Sequence, residues 1–261
     1  MTYQRDFGKK DTMDIRFYKK PEMTNPRMLV GLPGMGMVAR TTVNYFIEFL
    51  KPELFADIPV PYLSPSIAFF EKGLVVPVDR DKSPFKFYYS QEKNIILFSG
   101  DMQIGYIAKD NELAEKIIEA AKLCGVGTVY TVIATQVKKY VEEPQVFGVA
   151  TSPELLEFLK SKGVEIADGS LQISGVNGLV IEYAKRNGIN GISLLSETVF
   201  PEALDIKACY AGIKKVSLLL GIEIDMSRIE SEAKKFDEGF KRYLKEIQEK
   251  RRKEEDLGYI G

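Results

Sequence analysis

The chain has no histidine, no tryptophan and only two cysteines in 261 residues. Imidazole is the usual general base near neutral pH and the commonest metal-binding side chain, so its absence removes Ser-His-Asp and Cys-His catalysis and most metal centres. Cys124 and Cys209 stand far apart with no C-x-x-C, and two thiols without imidazole do not build a structural zinc site. They read as buried thiols of a reducing compartment. An excess of one charge is also missing: 36 Lys and Arg against 37 Asp and Glu leave a net charge of -1, with no bulk attraction to nucleic acid or anionic lipid. The Lys pairs at 9–10, 19–20 and 138–139 are isolated and have no interleaved aromatics, so no nucleic-acid partner is expected. No long apolar run occurs. The richest stretch, residues 216–224, is too short to span a bilayer, and residues 1–20 are polar and mixed in charge. The expectation is a cytoplasmic protein with no membrane partner.

What is present is patterned for an α/β fold. No linker, low-complexity tract or repeat interrupts the first 224 residues, which points to one main domain. The apolar run 27–31 stops at Gly-Leu-Pro-Gly-Met-Gly, and apolar residues then recur at helical spacing over 37–50: strand, tight turn, helix. Short strands follow at 66–70, 74–78, 85–89 and 94–99, separated by turn residues that suggest antiparallel pairing. After Asp110 the pattern alternates: helix 111–123, strand 128–135, helices 153–160 and 176–186, strand 191–195, helix 201–220. Helices between apolar strands need crossover connections, so a three-layer α/β domain is expected over residues 1–224, with a mainly parallel central sheet and an antiparallel element.

Residues 225–256 are expected to form a charged C-terminal helix. Along it Ile229, Ala233, Phe236, Phe240, Tyr243 and Ile247 recur at spacings of four and three and draw one apolar seam. A lone helix cannot bury that seam. Two partners suit it: its own domain, or a neighbouring subunit, which would make the protein a homo-oligomer. Gly258 is expected to break the helix. Residues 257–261 then form an apolar tail carrying Leu257, Tyr259 and Ile260, mobile until a partner supplies a pocket.

Ligands of open α/β sheets sit beyond the carboxyl ends of the strands, and four segments fall there. The first, from Gly31 through Gly34 and Gly36 to Ala39, fits G-x-G-x-x-A. Pro33 inside the turn and Pro52, Pro59 and Pro61 downstream suit a dinucleotide site poorly, so these glycines read as backbone geometry and no cofactor is expected. The second carries Asp101 and Gln103. The third holds Ser174 and Asn177 at a helix start, where Ser174 is placed to cap free N–H groups. The fourth holds Glu197. Asp101 and Glu197 are the pair of carboxylates that could serve an enzyme acting on a nucleoside or nucleotide in a strand-end pocket. Short polar residues at strand ends equally close turns and cap helices, and neither a nucleophile nor a metal-binding set is visible.

In order and at these separations, the Gly31 turn, Gly100-Asp-Met-Gln103, Ser174-Gly-Val-Asn-Gly-Leu179 and Gly191-Ile-Ser-Leu-Leu-Ser-Glu-Thr198 resemble the proteasome assembly chaperone family of the chaperone-two type, especially its archaeal members. The resemblance covers about residues 25–222. It implies a domain like that of purine nucleoside phosphorylase and peptidyl-tRNA hydrolase, no established catalysis, assembly with itself or a related chaperone, and ATP-independent help in building the proteasome α-ring. Proteins that dock on that ring commonly end in a hydrophobic residue, a penultimate Tyr and any residue. Here Tyr259 is third from the end, so the tip is similar in chemistry and displaced in register.

Overall fold

The computed structural model describes residues 12–60, 69–76, 83–170 and 172–258. In chain order the elements are β1 (Arg16–Phe17), β2 (Arg27–Gly31), a 3-10 turn (Met35–Met37), α1 (Val38–Leu50), β3 (Glu53–Ile58), β4 (Phe69–Glu71), β5 (Leu74–Val76), β6 (Phe85–Ser90), β7 (Ile95–Gly100) and α2 (Ile107–Leu123). There follow β8 (Thr128–Gln136), β9 (Val146–Ala150), α3 (Pro153–Ser161), β10 (Glu165–Ile166), α4 (Val176–Arg186), β11 (Asn190–Thr198), α5 (Ile206–Leu220) and α6 (Ser227–Gly258).

Nine strands form one sheet in the order β1-β3-β6-β7-β2-β8-β11-β9-β10. The central four, β7, β2, β8 and β11, run parallel. β6 and β3 extend one side antiparallel, and β9 pairs antiparallel with β11 on the other. β4 and β5 form a separate antiparallel hairpin. The central strands are apolar on both faces because helices cover both. On β2, Met28 and Val30 join the core beneath α2 and α4, whereas Leu29 joins the core beneath α1 and α5. Ile96 and Phe98 of β7 face the first core, Ile95 and Leu97 the second. This is the three-layer α/β architecture that the periodicity predicts. Among the described residues no helix is long and apolar enough to cross a membrane.

Several boundaries differ from the sequence expectation, each for a local reason. β3 forms even though prolines surround it, because Pro52 and Pro59 bracket the strand and do not interrupt it. β9 and β10 are short and were not expected. α5 starts at Ile206, five residues later than expected, because the Asp205 side chain caps it by accepting from the Ala208 N–H at 3.1 Å. α6 continues to Gly258, through the glycine expected to stop it.

The seam on α6 meets its own domain along its first half. Ile229 and Ala233 are buried. Phe236 and Phe240 each stand edge-on to Phe200, at 5.4 and 5.2 Å, and Phe240 lies 4.9 Å from the Tyr140 ring. Such aromatic pairs add about 0.5–1.5 kcal/mol each beyond burial. Tyr243, one turn further, is 57% exposed, and Ile247 is half-buried. Tyr259 and Ile260 lie outside the described residues, as does the side chain of Leu257.

Candidate functional site

The carboxyl ends of β2, β7, β8 and β11 share one end of the sheet, and the loops that follow them meet there. Gly31 is required by packing: a Cβ on it would lie 2.3 Å from the Ala39 carbonyl oxygen in the first turn of α1. Gly36 is required by conformation, with φ at +61°. Its N–H donates to the Pro201 carbonyl at 3.0 Å, and its carbonyl accepts from the Asp205 N–H at 3.1 Å. Thr198 donates to the Asp205 carboxylate at 2.7 Å, closing the same stitch from the end of β11. The turn that resembles a phosphate loop thus holds α1 and α5 against the strand ends, and the Gly36 N–H is already engaged.

Two side chains from the recognised motifs bind these loops to each other. Asn177, buried at the start of α4, accepts from the Leu32 N–H at 3.0 Å and donates to the Leu32 carbonyl at 3.1 Å, satisfying both backbone groups of one residue. Gln103 donates to the Pro33 carbonyl at 2.7 Å, and its amide oxygen lies 3.4 Å from the Val176 N–H. The first three segments are therefore bonded to one another directly, and the fourth joins them through Leu195, which lines the same cavity, and Thr198. They surround a cavity of about 400 Å³ whose lining includes Pro33, Met35, Gln103, Ile133, Gln136 and Ser174. Asp110 also lines it, and burial pushes its carboxyl above the usual range against the hydrogen bond from the Gly105 N–H.

The structure reassigns three of the candidate residues. Asp101 and Glu197 do not form a catalytic pair in this cavity. Asp101 binds Arg40 of α1 at 2.8 Å, and Glu197 accepts from the Gln145 N–H at 2.9 Å while its own N–H donates to the Gln145 carbonyl. Neither carboxylate is among the residues lining the cavity. Ser174 does not cap α4: the N-cap is Gly175, at φ +82°, with no side-chain bond. Among the described residues, no cluster of three His, Cys, Asp or Glu side chains could hold a metal ion.

A second constellation escaped the sequence reading. Lys207 of α5, only 8% exposed, pairs with Asp237 of α6 at 2.5 Å and donates to the Tyr140 hydroxyl at 2.9 Å and the Val141 carbonyl at 3.0 Å. The Tyr140 hydroxyl also donates to Asp237, and Lys241 bridges Asp237 at 3.0 Å and Glu142 at 2.6 Å. Burial opposes the Asp237 charge. Hydrogen bonds from Lys207, Tyr140 and Lys241 outweigh it and hold the carboxyl well below its usual range. Directly beside the aromatic cluster, this network fastens α6 to the domain.

Comparison with known proteins places these features in a family context. Residues 28–244 match the model of the PAC2 family. An uncharacterized protein of Methanocaldococcus jannaschii is 32% identical over 247 residues, which cover 92% of this chain and 93% of that protein. The crystal structure of Pyrococcus furiosus PbaB, an archaeal proteasome activator, is similar with a TM-score of 0.76 at 28% identity, over 90% of this chain and 99% of that one. The fold of P. furiosus PbaA, an archaeal homologue of proteasome-assembly chaperone, matches with a TM-score of 0.71 at 24% identity, over 91% and 100% of the two chains.

Proposed function

Because this chain belongs to the PAC2 family, we propose that it is a proteasome-assembly chaperone-like protein whose work is done by binding surfaces and not by catalysis. Its partners in this reading are proteasome α subunits or a related assembly chaperone, engaged without ATP, and further copies of itself. The activator function of the similar PbaB supports the proteasome as the client. The engagement of the Gly36 N–H with Pro201 argues against a nucleotide-dependent step at the one turn that resembles a phosphate loop. A cytoplasmic setting suits the two cysteines, which are buried and unpaired.

The observation that carries the reading is α6. Its 32 residues extend about 48 Å, its first half is fastened to the domain, and the rest runs on beyond Tyr243 towards the apolar tail. Docking of that tail would bury the Tyr259 ring, with Leu257 and Ile260 beside it. One buried aromatic is worth about 1.5–3 kcal/mol before ordering costs, roughly ten- to a hundredfold in affinity, and several tails on one ring would multiply it. The test is affinity capture of proteasome α subunits by the full chain, by Tyr259→Ala and by a chain ending at Asp256. The two altered chains are expected to capture at least tenfold less with unchanged folding and mass. Equal capture by all three places the client surface on the α/β domain instead.

A further inference from the structure

The hairpin formed by β4 and β5 is apolar where a soluble hairpin should be polar. Phe70 and Val75 form a cross-strand pair, 68% and 67% exposed, and Leu74 on the other face is 73% exposed. Among the described residues this two-stranded sheet pairs only with itself. An isolated hairpin of three-residue strands is marginal in water, and its open edges and apolar faces call for a cover.

The register of the main sheet places it. β3 ends at Ile58 opposite Phe85, and Phe85, the first residue of β6, stands opposite Gly100 at the end of β7. The hairpin lies in the connection between Ile58 and Phe85, so it leaves from and returns to the carboxyl end of the parallel strands. That same end bears further exposed apolar side chains, on the loops that follow its parallel strands. Met35 follows β2, Tyr106 and Ile107 follow β7, and Leu204 follows β11, with Ile107 82% exposed.

We propose that the hairpin is an arm that docks on the strand-end rim of a second copy of this chain, each copy giving its arm and receiving its partner's. The inference rests on the homo-oligomer part of the proposed function and names the surface that forms it. Arm and rim both connect to the carboxyl end of the parallel strands, so a two-fold pair covers both apolar sets at once, whereas an unrelated partner would have to bring complements to both. The area is sufficient. At about 150 Å² per large side chain, the seven named residues at these exposures remove about 1,300 Å² from water over the two reciprocal contacts, within the range of a specific interface.

The test mixes two single variants, Val75→Cys on the arm and Ile107→Cys on the rim, with a short bis-maleimide; the native thiols are buried and do not interfere. Cross-linked dimer is expected from the mixture and not from either variant alone. Light scattering on Phe70→Ser/Val75→Thr is expected to show half the mass of the unaltered chain or less, with an unchanged far-ultraviolet spectrum. Cross-linking of Val75→Cys to itself overturns the arm-on-rim contact, as does an oligomer that survives the double substitution and is lost only in a chain ending at Ile224, which puts the contact on α6. A monomeric unaltered chain removes the oligomer altogether, whereas proteasome capture by a monomeric arm variant leaves the client reading standing.

Discussion

Replacing Lys207 by Met tests whether the ion-pair network fastens α6. The substitution keeps the length and apolar stem of the side chain and removes three interactions: the pair with Asp237, the bond to the Tyr140 hydroxyl and the bond to the Val141 carbonyl. Removing one partner of a buried pair costs about 3–5 kcal/mol, because the other charge stays behind. Asp237 keeps Lys241 and Tyr140 and is one-fifth exposed, so the expected cost is lower, about 2–3 kcal/mol. It should fall on undocking of α6 and not on the sheet. Hydrogen exchange reads that locally: amides over 229–243 should exchange roughly 30- to 150-fold faster, while those of β2 and β8 keep their protection. Lys207→Met/Asp237→Leu, which leaves no orphaned charge, should recover most of the loss. The pH dependence has a definite sign. Since the Asp237 carboxyl is depressed in the folded state, its contribution is complete above the unfolded value near 4 and declines as pH falls below it towards the folded value. Protection of α6 in the single variant within twofold of the unaltered protein would refute the reasoning, as would loss of protection spread evenly over the sheet.

Asn177→Ala removes the side-chain partners of both Leu32 backbone groups in a buried site, which costs about 1–3 kcal/mol for each orphaned group and about 2–6 kcal/mol together. A shift in the urea midpoint worth less than about 1 kcal/mol would mean that Asn177 does not hold the loop. Burial pushes the Cys209 thiol up to about 12 and the Cys124 thiol above its usual value. Neither thiol should react with a disulfide reagent at pH 8 until denaturant is added, and rapid release from the native protein would contradict that assignment.

The layers and the parallel centre were legible because they rest on local periodicity. Residues 27–31 and 128–135 are near-continuous apolar runs, as strands covered on both faces must be, and α4 occupies the residues its pattern marks. What was not legible depends on partners distant in the chain. Nothing local separates Asn177 from a solvated helix-start residue, since its meaning comes from Leu32, 145 positions earlier. Ser174 carried the better local signal for a cap, yet Gly175 occupies the cap position. Asp101 and Glu197 look alike in sequence. One is taken by Arg40 on a neighbouring helix and the other by Gln145, the residue before β9, a strand too short to announce itself. Lys207 was hidden in the same way among ordinary charged residues of α5 and α6.

Fastening the first half of α6 also bears on how a C-terminal tail can work. A helix of about 12–15 residues in water is marginal because its first turn must be nucleated at a loss. The distal part of α6 escapes that cost, since it propagates from turns already held by Phe200, Tyr140 and Lys207. Seventeen residues of helix follow Lys241, carrying the chain about 25 Å further along a direction set by the docked half. A stiff projection of fixed direction places its tip at a fixed radius from the body. For several tails meeting one ring, that raises effective concentration if the radii match and abolishes joint engagement if they do not. A flexible tether of the same length would tolerate mismatch and gain less. If the chain is an oligomer as proposed, loosening α6 through Lys207→Met is therefore expected to weaken affinity capture of α subunits by the oligomer more than by a single chain, even though Lys207 meets α6 at Asp237, 21 residues before its end.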